Sequence, residues 1–331
     1  MRLGHTSSVI STARRFLLVV PMVILAVAGL LFSAAGTGAA APSVWRYTMV
    51  AFGNDSDRDM DVYESGDGTD FTALQTAAYR PPSGVVRDAS IFRHTDGMYY
   101  VTYTTGGGAN IGFARSSDRV NWTFLQNFPI PFCCAFLPGT GAGTGSASPS
   151  GFSGSAGFSD GPSLSPFTTK AWAPEWFVEG DRVSVIVSLS TGGGFVPYLM
   201  TALDPGLRMW SFPVPFVGIG ADHIDTTVVK VGPTYHTFTK NETHKVIEHW
   251  TAPSSIGPYT LVPSRDFGPL KEGPTVIELP DGTWRLYYDD YTNRKYFYSD
   301  STDGLNTWSE PRELPGVSDT VRHVGVMREP A

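Results

Sequence analysis

The feature that most constrains this chain is an internal repeat. A run of a small polar residue, Asp, then Gly or Arg, closing on an aromatic, occurs at Ser65-Gly66-Asp67-Gly68-Thr69-Asp70-Phe71, at Ser116-Ser117-Asp118-Arg119-Val120-Asn121-Trp122 and at Ser301-Thr302-Asp303-Gly304-Leu305-Asn306-Thr307-Trp308. Looser copies stand at Leu203-Asp204-Pro205-Gly206-Leu207-Arg208-Met209-Trp210 and Ser254-Ser255-Ile256-Gly257-Pro258-Tyr259. Asp and Gly at such offsets make tight turns, because the carboxylate caps local N–H groups and Gly accepts positive φ. Ahead of the tips lie aromatic or β-branched runs, Trp45 to Phe52, Met98 to Thr104, Arg182 to Ser188, Thr234 to Thr239 and Thr283 to Tyr288, which read as strands. Five units over the chain beyond residue 41 take about 58 residues each, near the roughly 40 to 50 of a four-stranded blade. The repeat predicts an all-β chain folded as a five-bladed β-propeller. The competing fold is a two-sheet sandwich with incidental Asp-Gly turns.

Composition fits many short strands joined by turns: 36 Gly, 25 Pro, 20 Phe, 14 Tyr and 8 Trp in 331 residues, with 17% charged. A coiled coil, a helical bundle and a disordered tail protein are excluded. A formal charge of −7 with no long Lys/Arg run argues against a nucleic-acid partner. Residues 1–41 read as an export signal: Arg2, Arg14 and Arg15 precede an apolar run from Phe16 to Phe32, and Gly36 to Ala41 ends in small residues. Arg14-Arg15-Phe16-Leu17 is a weak twin-arginine pattern, and a retained membrane anchor is the alternative. The expectation is a secreted protein that is monomeric, with no membrane attachment after cleavage.

One domain is expected over residues 42–331. Residues 138–165 interrupt the repeat with eight Gly, eight Ser and Asp160 as the only charge. That composition cannot bury enough apolar surface to fold alone, so it is expected as an inserted loop. Cys133 and Cys134 are adjacent, which excludes a disulfide framework and a metal-binding spacing. They are expected as thiols in a loop, with a strained adjacent-pair disulfide as the alternative.

Each unit after the first opens on an acidic or aromatic cluster: Val86-Arg87-Asp88-Ala89-Ser90-Ile91, Ala171-Trp172-Ala173-Pro174-Glu175-Trp176, His223-Ile224-Asp225-Thr226-Thr227-Val228 and Lys271-Glu272-Gly273-Pro274-Thr275-Val276. The innermost strands of a propeller run side by side, so four carboxylates are expected to converge at one mouth of the central channel. Converging carboxylates raise one another's pKa. A protonated acid beside an ionised base is also what glycosidic cleavage requires.

These segments resemble glycoside hydrolase family 43. Arg87-Asp88-Ala89-Ser90-Ile91 is similar to the family's R-D-P-x-I, Trp172-Ala173-Pro174-Glu175 to its W-A-P-[DE], Ile224-Asp225-Thr226-Thr227 to its I-D-P-x, and Glu272-Gly273-Pro274 to its E-G-P. The order matches, and Arg322-His323-Val324-Gly325 resembles the terminal R-H-G segment. The resemblance implies an inverting hydrolase with Asp88 as general base, Asp225 as the tuning acid and Glu272 as general acid. Repulsion from two neighbouring anions is expected to keep Glu272 protonated. Trp172 and Tyr291 are candidates for stacking on a sugar, and Glu175, Asp290 and Arg322 for hydroxyl contacts. His323 marks a calcium ion or a water cluster in family members, against the alternative of a histidine bonded to a neighbouring carboxylate. No cofactor is expected to be required, and a structural calcium is the one ion the resemblance allows. Arg87 is expected to support the local backbone.

Ala89 and Thr226 replace prolines, and Val324 interrupts R-H-G. The partner implied is a polysaccharide or oligosaccharide, and the activity that of an arabinofuranosidase. A xylosidase or galactofuranosidase fits the same acids, and a non-catalytic carbohydrate-binding propeller is the alternative from another class. Glu272-Gly273 stands where the fructoside-cleaving propellers carry E-C. A nucleophile elbow, a phosphate loop and H-E-x-x-H are all absent from the sequence.

Overall fold

The computed structural model describes residues 44–130, 168–190, 192–263 and 266–331. All belong to one unit spanning Ser43–Ala331. The expected export signal at 1–41, the inserted loop at 138–165 and the Cys133-Cys134 pair lie outside the described residues. Among the described residues no helix is long and apolar enough to cross a membrane.

The first unit supplies β1 (Trp45–Gly53), β2 (Met60–Ser65) and β3 (Thr72–Tyr79), and the second β4 (Arg87–Arg93), β5 (Tyr99–Thr104), β6 (Asn110–Ser116) and β7 (Trp122–Pro129). The third comprises β8 (Lys170–Glu179), β9 (Arg182–Ser190), β10 (Phe195–Thr201) and β11 (Val214–Pro215). β12 (His223–Val231), β13 (Thr234–Asn241), β14 (Val246–Ala252) and β15 (Thr260–Val262) make the fourth. β16 (Glu272–Glu278), β17 (Trp284–Asp290), β18 (Lys295–Ser301) and β19 (Arg312–Glu313) make the fifth, and β20 (Val321–Pro330) ends the chain.

These strands pair into five four-stranded antiparallel sheets, and the first has the order β20-β1-β2-β3. The propeller is therefore closed by its own C-terminus: β20 pairs with β1 from Trp45↔Pro330 to Gly53↔Val321. The inner strands β4, β8, β12, β16 and β20 neighbour one another in a ring. The sequence reading left the first blade without a motif-bearing inner strand. That strand is β20, and it brings Arg322 and His323 into the ring.

All five repeat copies connect the third strand of a blade to its fourth, as hairpin tips should. Asp67 Oδ1 accepts the Thr69 and Asp70 N–H groups at 2.8 and 2.9 Å, and Asp118 Oδ1 those of Val120 and Asn121 at 2.9 and 2.8 Å. Each tip then leans on a neighbouring blade. Arg119 bonds Glu64 at 2.6 Å, and Arg285 bonds the Gly68 carbonyl at 3.1 Å. Apolar side chains fill the wedges between blades: Phe113 and Trp176 with Trp210, Tyr47 with Tyr287, Val50 with Val101, Phe177 with Tyr235, and Phe238 with Leu286. Burying each such side chain is worth about 1.5–3 kcal/mol. These wedges leave the ring of inner strands as the place where polar residues gather.

Candidate active site

The same irregularity recurs on all five inner strands. Pairing with the second strand slips between Arg87 and Ser90, Trp172 and Glu175, Ile224 and Thr227, Glu272 and Thr275, and Arg322 and Gly325. Each slip is a two-residue bulge, and its first residue has positive φ: Asp88 at 53°, Ala173 at 47°, Asp225 at 54°, Gly273 at 59° and His323 at 33°. A bulge bends the strand and re-aims its side chains. Positive φ recurs at this same position in all five blades, so it belongs to the bulge geometry itself.

The bulges correct the expectation of four equivalent carboxylates. Asp88, Asp225 and His323 share the bulged position, while Glu272 stands one residue earlier, in the position held by Arg87, Trp172, Ile224 and Arg322. Glu175 stands two residues past the bulged position, beside Ser90 and Thr227, in a 390 Å³ cavity whose apolar walls include Ile91, Val276 and Val326. The fourth carboxylate thus lies along the channel, away from the other three. Burial pushes it up to about 7, and only the Ser90 and Thr227 hydroxyls and His323 oppose this.

At the mouth, a buried imidazole joins two of the acids. His323 Nδ1 is 3.4 Å from Asp88 Oδ1 and 3.8 Å from Asp225 Oδ2. Burial alone would lower the histidine, but Asp225 and Asp88 outweigh it and push His323 up to about 9. Asp88 responds in the opposite sense: burial raises it, yet the charged His323 and Arg87 hold it below the usual carboxylate range. Asp225 is pushed up to about 6 by burial, with Glu272 and Asp88 adding repulsion that His323 only partly offsets. It also accepts the Gly273 N–H at 3.1 Å, tying the bulge of β12 to that of β16. Glycine is required there, because a Cβ on Gly273 would stand 2.8 Å from His323 Cγ.

Glu272 departs from its expected surroundings. Cations, not anions, touch it: Lys240 Nζ lies 2.7 Å from Oε2 and Arg322 Nη2 lies 2.8 Å from Oε1. The repulsion expected at Glu272 falls on Asp225 instead. Arg322 also bonds Asp289, which is fully buried and pushed up to about 6 by that burial.

The remaining candidates divide. Trp172 is 36% exposed, packs on Phe195 at 4.6 Å and lines a 260 Å³ cavity with Arg87, Asp88 and Thr104. Arg87 faces solvent in that cavity and stacks on Phe52 at 5.2 Å, so it is a wall of the cavity rather than a purely backbone support. Tyr291 underlies Lys240, with Nζ 4.6 Å from the ring centre, which puts it beside Glu272. Asp290 is committed within the protein: it pairs with Lys271 at 2.7 Å and caps the turn through Thr292 and Asn293. Arg322 reaches the site, but its guanidinium is held by two protein acids.

His323 stands as a histidine bonded to neighbouring carboxylates. Its Nδ1 faces two carboxylates as a cation would, and among the described residues no three His, Cys, Asp or Glu side chains converge as metal ligands.

Lys240 and Asp289 were missed by motif reading because they lie on second strands, which the motifs do not cover. Register supplies the signal: Thr104, Ser188, Lys240 and Asp289 are the partners of Arg87, Trp172, Ile224 and Glu272. They put a polar residue opposite the bulge entry in four of the five blades, and in the remaining blade the partner, opposite Arg322, is Phe52.

No protein-family model matches the chain, and neither does any curated protein sequence. Solved structures share the fold. A family 43 β-1,3-galactosidase superposes with a TM-score of 0.59 at 10% identity over 83% of this chain and 58% of its own. An endo-1,4-β-xylanase of Bacteroides thetaiotaomicron gives 0.56 at 12% identity over 81% and 91%. The xyloglucan PUL GH43B protein of Bacteroides ovatus gives 0.54 at 13% identity over 82% and 55%. The chain thus spans little more than half the length of two of these three. At such identities the likeness is one of fold: a five-bladed β-propeller of the kind found in glycoside hydrolase family 43.

Proposed function

We propose that this protein is a secreted glycoside hydrolase of the family 43 type that cleaves pentosidic or furanosidic linkages with inversion, most simply as an arabinofuranosidase. The observation that carries this reading is the gathering of Asp88, Asp225 and Glu272 around a buried, charged His323, on neighbouring bulges of one ring. Asp88 is held ionised and borders an open cavity, as a general base must. It takes a proton from water as the water oxygen bonds to the anomeric carbon. The bond from that carbon to the leaving oxygen breaks as the oxygen takes the proton of Glu272. Asp225 holds the Gly273 N–H, and with it the backbone next to Glu272. Solvent exchange returns a proton to Glu272 and removes one from Asp88. Trp172 offers an apolar face to a sugar, and the substrate is a polysaccharide or oligosaccharide.

The two cations on Glu272 favour a second reading, a carbohydrate-binding propeller without turnover, because Lys240 and Arg322 occupy both carboxylate oxygens that a leaving group would have to reach. One comparison separates the two. A panel of nitrophenyl glycosides, including L- and D-arabinofuranoside, xyloside and galactofuranoside, is incubated with wild type and with Asp88→Asn. Turnover of at least one member, lost by about 10² or more in the variant, supports the hydrolase. Binding of oligosaccharide with no turnover of any member supports the second reading.

A further inference from the structure

The walls of the cavity beside Asp88 are pinned to one another. The Asp57 carbonyl, on the loop between β1 and β2, accepts the Val86 N–H at 2.7 Å, and the Thr105 carbonyl accepts that of Val85 at 3.1 Å. The Ala173 N–H donates to Thr104 Oγ1 at 2.8 Å, which fixes the entry of β8 and with it Trp172. These bonds use backbone groups and one hydroxyl. Two charged side chains that line the cavity take no part in them, Asp57 and Arg87. Neither makes a side-chain hydrogen bond or ion pair to any described residue, nor do they pair with one another.

Arg87 is held in another way. Its guanidinium stacks on the buried ring of Phe52, 5.2 Å from the ring centre. Stacking uses the face of the guanidinium and leaves the N–H groups on its edge to donate. Arg87 therefore offers donors only, and an ionised Asp57 acceptors only. A hydroxyl answers both, giving its proton to the carboxylate and taking one hydrogen bond from the guanidinium, and bonds to charged groups are the stronger kind. The exposed Trp172 adds an apolar face for the C–H side of a ring. An anionic ligand would suit Arg87 alone and would stand as a third negative charge beside Asp57 and Asp88. At 260 Å³ the cavity is smaller than the roughly 300–1,000 Å³ of pockets for larger ligands, which fits one sugar ring.

We propose that Asp57 and Arg87 are specificity-determining residues, which hold the hydroxyls of a single neutral sugar ring in the cavity beside Asp88. The proposal rests on the reading of the ligand as a carbohydrate, and it does not depend on which group supplies the proton. Asp57 comes from the β1–β2 loop and Arg87 from the entry of β4, so the sugar bridges the first and second blades.

The test reads binding, not turnover. Methyl glycosides of L-arabinofuranose, xylose and galactofuranose are titrated by calorimetry into wild type, Asp57→Asn and Arg87→Lys, with methyl glucuronide as the anionic probe. Both substitutions conserve size, and Arg87→Lys keeps the positive charge beside Asp88 while removing the fork of donors. Melting temperatures should therefore match wild type. At least one neutral glycoside should bind wild type, and each variant should weaken it about tenfold, as expected for a hydrogen bond to a charged group. Among monodeoxy forms of that glycoside, the one lacking the hydroxyl concerned should show no further loss in the variant. The glucuronide should bind more weakly than the best neutral glycoside, because like charges placed together are costly. The proposal is overturned if either variant binds as wild type does, if every monodeoxy form loses as much as the parent, or if the glucuronide binds tightest. Failure of the carbohydrate reading looks different: wild type itself would then bind none of the glycosides, and the proposal would fall with it.

Discussion

Replacing Glu175 with Gln should stabilise the protein, and by an amount that depends on pH in a defined way. The carboxyl sits inside the ring of inner strands with apolar walls, and its pKa is about 7 against an ordinary 4.5. A carboxyl whose folded value is raised costs nothing below its unfolded value, and its full cost is reached above its folded value. The window here runs from pH 4.5 to about 7, and the cost above it is about 3 kcal/mol, at 1.36 kcal/mol per pH unit. Glutamine keeps the shape and an acceptor for the Ser90 and Thr227 hydroxyls but has no charge to bury. At pH 4.5 the variant should match wild type or lose about 1 kcal/mol through its unpaired amide. At pH 8 it should be more stable by about 2–3 kcal/mol. Guanidinium unfolding of both proteins at the two pH values measures this directly. A stability difference that does not change with pH, or a variant less stable at pH 8, would refute the reasoning. Turnover should stay within a few-fold of wild type, because the carboxyl is set apart from the acids at the mouth.

Three further outcomes follow from the site. His323→Gln should lower stability most at pH 6 and progressively less toward pH 9.5, since a folded value raised from 6.5 to about 9 contributes fully below 6.5 and is lost as pH rises through 9; a loss that is constant across this window would count against the charged imidazole. Gly273→Ala should cost about 1–3 kcal/mol in thermal unfolding and most of the activity, because its Cβ would meet His323 Cγ at 2.8 Å and displace the N–H that Asp225 accepts. Trp172→Ala should raise KM about tenfold with kcat little changed if its exposed face meets a sugar, an aromatic contact worth about 1 kcal/mol or more; a fall in melting temperature with KM unchanged would assign the ring to packing on Phe195.

The parts of the fold carried by local chemistry were legible in the sequence. Ser65, Asp67 and Gly68, with their counterparts at Ser116 and Ser301, build each tip from neighbouring residues, so their recurrence revealed the blades. Asp88, Asp225 and Glu272 were legible because each sits in a short motif at the start of an inner strand. What was hidden depends on register and long-range pairing. The one-residue offset between Asp225 and Glu272 comes from where each bulge falls. The pairing of β20 with β1 joins residues at opposite ends of the chain. Lys240 meets Glu272 only because β13 and β16 belong to adjacent blades, and no pattern in Thr234 to Asn241 announces a partner 32 residues further on. That contact also explains why the expected charge balance at Glu272 was reversed.

If Asp88 activates water while Glu272 protonates the departing oxygen on the opposite side of the sugar, hydrolysis inverts the anomeric carbon. Proton NMR of the first sugar released, recorded before mutarotation from the panel glycoside that wild type turns over, reads this outcome. The first product should have the anomeric configuration opposite to that of the substrate, with the signal lost in Asp88→Asn. A first product of the same configuration as the substrate, or full activity in Asp88→Asn, would contradict it.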